Sequence, residues 1–132
     1  MKIHFYAADT KGAQAALAEL TALYGDYPTA DADVCVALGG DGSMLRALHD
    51  SIQHGKPVFG MNRGSVGFLL NEYRSENLVQ RLQNAQTVTL KPLRMTVTTL
   101  DGVKHEALAV NEVSLLRETR QAAKLSIHID GI

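Results

Sequence analysis

The sequence predicts an α/β protein in two parts. The first is a three-layer domain over residues 1–91, built on a parallel sheet; the second is the start of a β-rich antiparallel domain over residues 92–132. Three observations carry this. Short apolar runs alternate with segments of helical period up to residue 91, the pattern of a parallel sheet with crossover helices. Two of the runs end directly in glycine-rich turns. After Pro92 the helical period vanishes and apolar and polar residues alternate, as in half-buried strands.

Residues 2–7 read as a first strand, being short, aliphatic and aromatic, and followed by the polar loop Ala8-Asp9-Thr10. Residues 11–24 read as a helix, with Leu17, Leu20 and Tyr24 at helical spacing and Gly25 as its stop. Residues 33–38 hold the continuous apolar run Val34-Cys35-Val36-Ala37-Leu38, which suits a strand buried on both faces. Gly39-Gly40-Asp41-Gly42 follows at once. A second helix is expected over residues 43–53, with Met44, Leu45, Leu48 and Ile52 as its inner stripe. A third strand is expected over residues 58–61, and then the turn Asn62-Arg63-Gly64-Ser65-Val66-Gly67. Ser75 is placed to cap a helix over residues 76–84 whose inner face is Leu78, Val79 and Leu82. The order is that of a Rossmann-like layer. Phe5, Tyr6 and Tyr24 read as core.

In the second part Leu93, Met95 and Val97 alternate with Arg94, Thr96 and Thr98, and Asp101-Gly102 is a two-residue hairpin signal. Strands are expected over residues 103–110, 113–116 and 125–129. So few strands without a covering layer make a poor free-standing domain, so the sequence reads as an excerpt of a longer protein.

Composition narrows the function classes. The 132 residues carry a formal net charge of −1, with lysines and arginines scattered, so neither nucleic acid nor an anionic membrane is an expected partner. Cys35 is the single cysteine; no intrachain disulfide and no cysteine metal cage is available, and its apolar setting suits a buried thiol. The five histidines show no metal-binding spacing: His49 and His54 do not share a helix face, and His4, His105 and His128 are isolated strand residues. No apolar stretch is long enough for a bilayer, and the apolar start is too short for a signal peptide. The expectation is a soluble cytoplasmic protein.

The glycine turn at residues 39–42 carries the chemistry. A buried strand ends, three glycines surround one acid, and a helix begins. Glycines admit a ligand close to the backbone, and amides at a helix start favour an anion, which suits a nucleotide phosphate. The Lys-Ser/Thr pair of a Walker loop is missing. An aspartate repels phosphate unless it has a part to play. It can hold Mg²⁺, or take the proton of an attacking hydroxyl; the plain alternative is a turn in which Asp41 caps the next helix. Ser43 and Ser65 lie in no nucleophile elbow. Arg46, a turn beyond Ser43, either reaches a phosphate or is a solvated helix residue. Arg117, Arg120 and Lys124 either meet a phosphate or, the favoured reading, belong to a solvated loop.

Gly39-Gly40-Asp41-Gly42 resembles the loop shared by NAD kinases, diacylglycerol- and sphingosine-type lipid kinases, and phosphofructokinases. Ser43 stands where NAD kinases usually have threonine and keeps the hydroxyl. Two further segments narrow the resemblance to NAD kinases. The stretch Gly60-Met61-Asn62-Arg63-Gly64-Ser65-Val66-Gly67-Phe68-Leu69 is similar to that family's Gly-x-Asn-x-Gly-x-x-Gly-Phe-Leu pattern, and Asn111-Glu112 to its Asn-Glu pair. The resemblance implies a kinase that phosphorylates the adenosine ribose 2′-hydroxyl of NAD to give NADP. Its donor would be ATP or inorganic polyphosphate, with a divalent ion such as Mg²⁺. It implies Asp41 as general base, with Gly42 beside it; Asn111, Glu112 and Phe68 on NAD; and Gly39, Gly40, Ser43, Arg46, Asn62, Gly64 and Gly67 on the phosphate-donor side. It also implies a homodimer or homotetramer, and that the 132-residue chain alone is inactive. The rival readings are a lipid kinase of the diacylglycerol type and a dinucleotide-binding regulatory module without chemistry.

Overall fold

A computed structural model describes residues 1–63, 67 and 69–132. The elements run β1 (Ile3–Ala7), α1 (Lys11–Tyr24), β2 (Val34–Gly39), α2 (Asp41–His54), β3 (Val58–Asn62), α3 (Leu78–Asn84), β4 (Leu93–Thr98) and β5 (Lys104–Ala109). The first three strands form a parallel sheet in the order β1-β2-β3. As its apolar run predicts, β2 is central and every residue in it is buried.

The alternation of β2 divides the core between two faces. Val34, Val36 and Leu38 join Ile3, Phe5 and Met61 under Ala13, Ala16 and Leu20 of α1 and Leu78 of α3. Cys35 and Ala37 point the other way, onto Met44 and Ala47 of α2. This gives the three-layer arrangement that the sequence predicts. The strands advance in one direction while the helices change face, so the β1-α1-β2 and β2-α2-β3 crossovers have opposite hands. One of them departs from the usual right-handed rule.

Local chemistry sets the helix ends. Thr10 is extended and its hydroxyl accepts the Ala13 amide at 3.3 Å, which starts α1; the Gly25 amide, donated to the Thr21 carbonyl at 2.9 Å, closes it. Helix α2 begins at Asp41, two residues before the expected start at Ser43, because the Gly40 carbonyl already accepts from Ser43 and Met44. Its buried stripe is Met44, Ala47 and Ser51. Leu48 packs partly, whereas Ile52 points aside and is 38% exposed. Ser51 is tolerated inside because its hydroxyl donates to the Leu48 carbonyl at 3.0 Å.

Helix α3 is shorter than expected, and Ser75 does not cap it. Asn77 precedes the helix in a left-handed conformation (φ 54°). The Tyr24 hydroxyl donates to the Ser75 carbonyl at 2.6 Å and accepts the Leu78 amide at 3.3 Å, so a side chain from α1 does the capping.

β4 and β5 pair antiparallel from Leu93↔Ala109 to Thr98↔Lys104. The reversal takes three residues, Leu100-Asp101-Gly102, in place of the two expected: the Gly102 amide donates to the Thr99 carbonyl and the Thr99 amide to the Val103 carbonyl. Gly102 has φ 84°, the left-handed residue such a loop needs. The strands expected over residues 113–116 and 125–129 do not form. No described strand lies beside either segment to share hydrogen bonds, and Leu115, Leu116, Ile127 and Ile129 are exposed.

Candidate active site

Gly39 and Asn62 face each other in the register of β2 and β3, so both glycine-rich segments leave the carboxyl end of the sheet side by side. Their backbones join at once: the Arg63 amide donates to the Gly39 carbonyl at 2.9 Å. The second segment is closed at its base by the Asn62 amide on the Asn71 carbonyl (2.9 Å), and by the Asn71 amide (2.8 Å) and side-chain amide (3.1 Å) on the Gly60 carbonyl. The excursion therefore leaves β3 and returns beside it.

Asp41 bridges the two segments. Its carboxylate Oδ1 accepts the Leu69 amide at 3.3 Å. Gly67 lies directly against that carboxylate, and a Cβ there would overlap Asp41 Oδ1 and Cγ. A Cβ on Gly39 would sit 2.5 Å from Ser43 Oγ and 3.0 Å from Ala8 Cβ, so the first turn of α2 can close on β2 only if residue 39 is glycine. At Gly40 and Gly42, by contrast, a Cβ would meet nothing within 4 Å, which leaves that surface open to a ligand.

The expectation that Asp41 sits in a loop is corrected: it is the first residue of α2, where the helix dipole favours a negative charge. The capping alternative is corrected too. Gly40 occupies the cap position with no side-chain cap hydrogen bond among the described residues, and the Asp41 carboxylate reaches across to Leu69.

The structure thus brings together Gly39, Gly40, Asp41, Ser43, Asn62 and Gly67, with Gly42 exposed on the first turn of α2. Arg46 is exposed on the same helix. Gly64, Ser65 and Phe68 lie outside the described residues. Asn111 and Glu112 follow β5, both exposed, with the Asn111 amide 3.5 Å from Glu112 Oε2. They lie beyond the two-stranded sheet, which shares no strand pairing with the sheet that carries the glycine segments. Two neighbours of the site, Arg63 and Tyr73, carry no separate signal in the sequence. The Arg63 guanidinium lies 4.2 Å from the centre of the Tyr73 ring.

A cavity of about 1060 Å³ runs along β3 between α2, α3 and the linker to β4, lined by Met44, Phe59, Gly60, Leu69, Leu82 and Val110 among others. It reaches the underside of the second glycine segment, and Asp41 is not in its lining. Among the described residues no group of three or more His, Cys, Asp or Glu could hold a metal ion.

Fold and site define an α/β protein in which two glycine-rich turns meet over one carboxylate at the end of a parallel sheet. Residues 9–88 match the family model described as ATP-NAD kinase N-terminal domain, and the chain belongs to the NAD kinase family. It is 50% identical over 131 residues to an NAD kinase of Hyphomonas neptunium, covering 99% of this chain and 51% of that protein. An NAD kinase of Brucella suis is 51% identical over 131 residues, again 99% of this chain and 51% of the relative. One from Xylella fastidiosa is 53% identical over 130 residues, 98% of this chain and 50% of the relative. The chain spans about half the length of these curated relatives. The lipid-kinase and regulatory-module readings gain no support from these matches.

Proposed function

We propose that the full-length protein transfers a phosphoryl group to the adenosine ribose 2′-hydroxyl of NAD, giving NADP, with ATP or inorganic polyphosphate as donor. The observation that carries this is Asp41, held between two glycine segments beside open backbone at Gly40 and Gly42. Asp41 accepts the proton of the 2′-hydroxyl as its oxygen bonds to the terminal phosphorus and the bond from phosphorus to the leaving oxygen breaks. General-base help of this kind supplies about 10²- to 10⁴-fold. Backbone amides at the start of α2 face the donor phosphates; Gly39, Gly40, Ser43, Asn62, Gly64 and Gly67 are assigned to the donor side, and Arg46 reaches a phosphate. Asn111 and Glu112 hold ribose hydroxyls, Gly42 borders the dinucleotide and Phe68 lines its pocket.

Mg²⁺ is usually held by one or two carboxylates plus substrate phosphates. Among the described residues Asp41 belongs to no group of three or more ligating side chains, so its carboxylate fits an ion shared with the donor in that way better than a protein-only cage. When bound, the ion would offset charge on the transferring group.

We assign residues 1–91 to the kinase layer and residues 92–132 to the beginning of a β-rich domain that completes the dinucleotide site and makes a homodimer or homotetramer. We read the full-length protein as a soluble cytoplasmic enzyme without nucleic-acid partners, on the net charge of −1 and the scattered lysines and arginines; no helix among the described residues is long and apolar enough to cross a membrane. The test incubates purified full-length protein with ATP or polyphosphate and either NAD or diacylglycerol. NADP formation is the expected result; phosphorylation of the lipid alone, or NAD binding without turnover, would overturn the assignment.

A further inference from the structure

We propose that Arg63 and Tyr73 form a strut against α1 that holds the second glycine segment on Asp41, making both of them positioning residues for phosphoryl transfer. The inference rests on the role given to Asp41 above.

Arg63 is the first residue after β3, and Tyr73 stands just past the point where the chain returns to β3 at Asn71. The two side chains stack, the guanidinium carbon 4.2 Å from the ring centre. Each is pinned to α1. Arg63 Nε donates to the Gly12 carbonyl at 3.2 Å, and the Tyr73 hydroxyl donates to Glu19 Oε2 at 2.7 Å. Residues 12 and 19 are about two helical turns apart and share a face of α1. One side of one helix therefore grips both ends of the segment that carries Gly67 and Leu69, which both lie against Asp41.

The charge states suit a permanent brace. Burial and the bond to Glu19 push the Tyr73 phenol up to about 12, so it stays a donor at any physiological pH. Hydrogen bonds from Ser75 and Tyr73, with the nearby Arg63 charge, hold Glu19 below the usual carboxylate range, so it stays an acceptor. Stacking on an aromatic face and donating to a carbonyl are uses that the planar guanidinium serves better than a lysine ammonium. They orient Arg63 along α1, whereas a phosphate ligand would be expected to face the opening at Gly40 and Gly42.

In the full-length protein, Arg63→Met keeps the stem and removes the guanidinium, Tyr73→Leu removes the ring, and Tyr73→Phe keeps the stack but loses Glu19. For the first two, kcat is expected to fall about 10- to 100-fold, the scale of a small misplacement of reacting groups. The Michaelis constants for NAD and ATP should move less than about threefold, as for an interaction that acts in the transition state. The double variant should be no worse than the poorer single, because the two residues act as one unit. Tyr73→Phe should lose least. Hydrogen exchange at the Leu69 amide, read where each variant is still folded by circular dichroism, should quicken in step with the loss of kcat. Turnover close to wild type with unchanged Leu69 exchange overturns the strut. So does an ATP Michaelis constant that rises more than kcat falls, which would make Arg63 a phosphate ligand. If Asp41→Asn proves fully active, the role of Asp41 fails, and the Leu69 exchange alone decides whether the strut holds the segment.

Discussion

Asp41 is the residue where local chemistry and tertiary contact meet. An acid among three glycines after a buried strand stands out in the sequence, but its neighbours do not. Leu69 and Gly67 are more than twenty-five residues away in the chain and reach Asp41 only because β2 and β3 pair in register. Asp41→Asn keeps the size and removes the basicity. Turnover of the full-length enzyme should fall by about 10²- to 10⁴-fold, with much smaller changes in NAD affinity by calorimetry and in melting temperature. A variant that turns over near the wild-type rate would leave Asp41 with a binding role only. The glycines on either side of the carboxylate make opposite predictions. Gly67→Ala drives a methyl into Asp41, and such overpacking should cost about 1–3 kcal/mol and lower turnover as well. Gly42→Ala lies in open space within the first turn of α2, so stability should rise by about 0.5–1 kcal/mol. If the dinucleotide approaches there, the Michaelis constant for NAD should rise. Melting curves and steady-state kinetics on the two variants separate crowding inside the protein from crowding of the ligand.

At the scale of the elements, apolar period was a sound guide wherever a strand or helix faces the core on its own. β2 is buried throughout as its unbroken apolar run implies, and α1 keeps its expected bounds between Thr10 and Gly25. Within the three-layer part, the errors of extent lie at helix ends. α3 takes its cap from the Tyr24 hydroxyl, fifty-four residues before Leu78, and no local reading of Ser75 reveals that. α2 starts early because the Gly40 carbonyl, not a capping side chain, opens the helix. Burial within β2 makes a chemical prediction. Desolvation, then the charges of Asp50 and Asp26, push the Cys35 thiol up to about 11. At pH 8 the thiolate is then on the order of a thousandth of the population, against roughly a quarter for an ordinary thiol. Since the folded-state value is raised, the neutral thiol contributes stability in full below the unfolded thiol's range, and that stability is lost as pH rises towards 11. A disulfide reagent at pH 8 should therefore label Cys35 only as fast as the protein opens, and faster as pH is raised. Rapid labelling of the native protein, located by peptide mapping, would contradict the central position of β2.

For the whole molecule, the second part of the chain sets the limit. Beyond the β4–β5 hairpin, Leu115, Leu116, Leu125, Ile127 and Ile129 are exposed and unpaired with any described strand, and Asn111 and Glu112 stand in solvent. On the proposed reading, in which a further β-rich part completes the dinucleotide site, the 132-residue chain by itself is expected to give no NAD phosphorylation; it spans about half the length of its relatives. Measured turnover by this chain would refute that. In the full-length enzyme, Glu112→Ala would remove the charge-assisted contact to ribose hydroxyls proposed above; such a contact is worth about 1.5–3 kcal/mol, so the Michaelis constant for NAD should rise by about one to two orders of magnitude. The constant for ATP should move less; a larger shift for ATP would assign the pair to the donor.

The sequence by itself determined the class of fold, the order of elements as far as the β4–β5 hairpin, and the family. These follow from properties that neighbouring residues carry alone: hydrophobic period, the freedom of glycine, and the pattern of a motif. Tertiary structure decided the rest. Which helix covers which face of the sheet, the opposite hands of the two crossovers, the contact of Asp41 with Gly67 and Leu69, and the stacking of Arg63 on Tyr73 all depend on the pairing of β2 with β3 and the packing of α1. Those contacts join residues far apart in the chain, and a strand-like run such as residues 125–129 becomes a strand only when another strand supplies the other half of its hydrogen bonds.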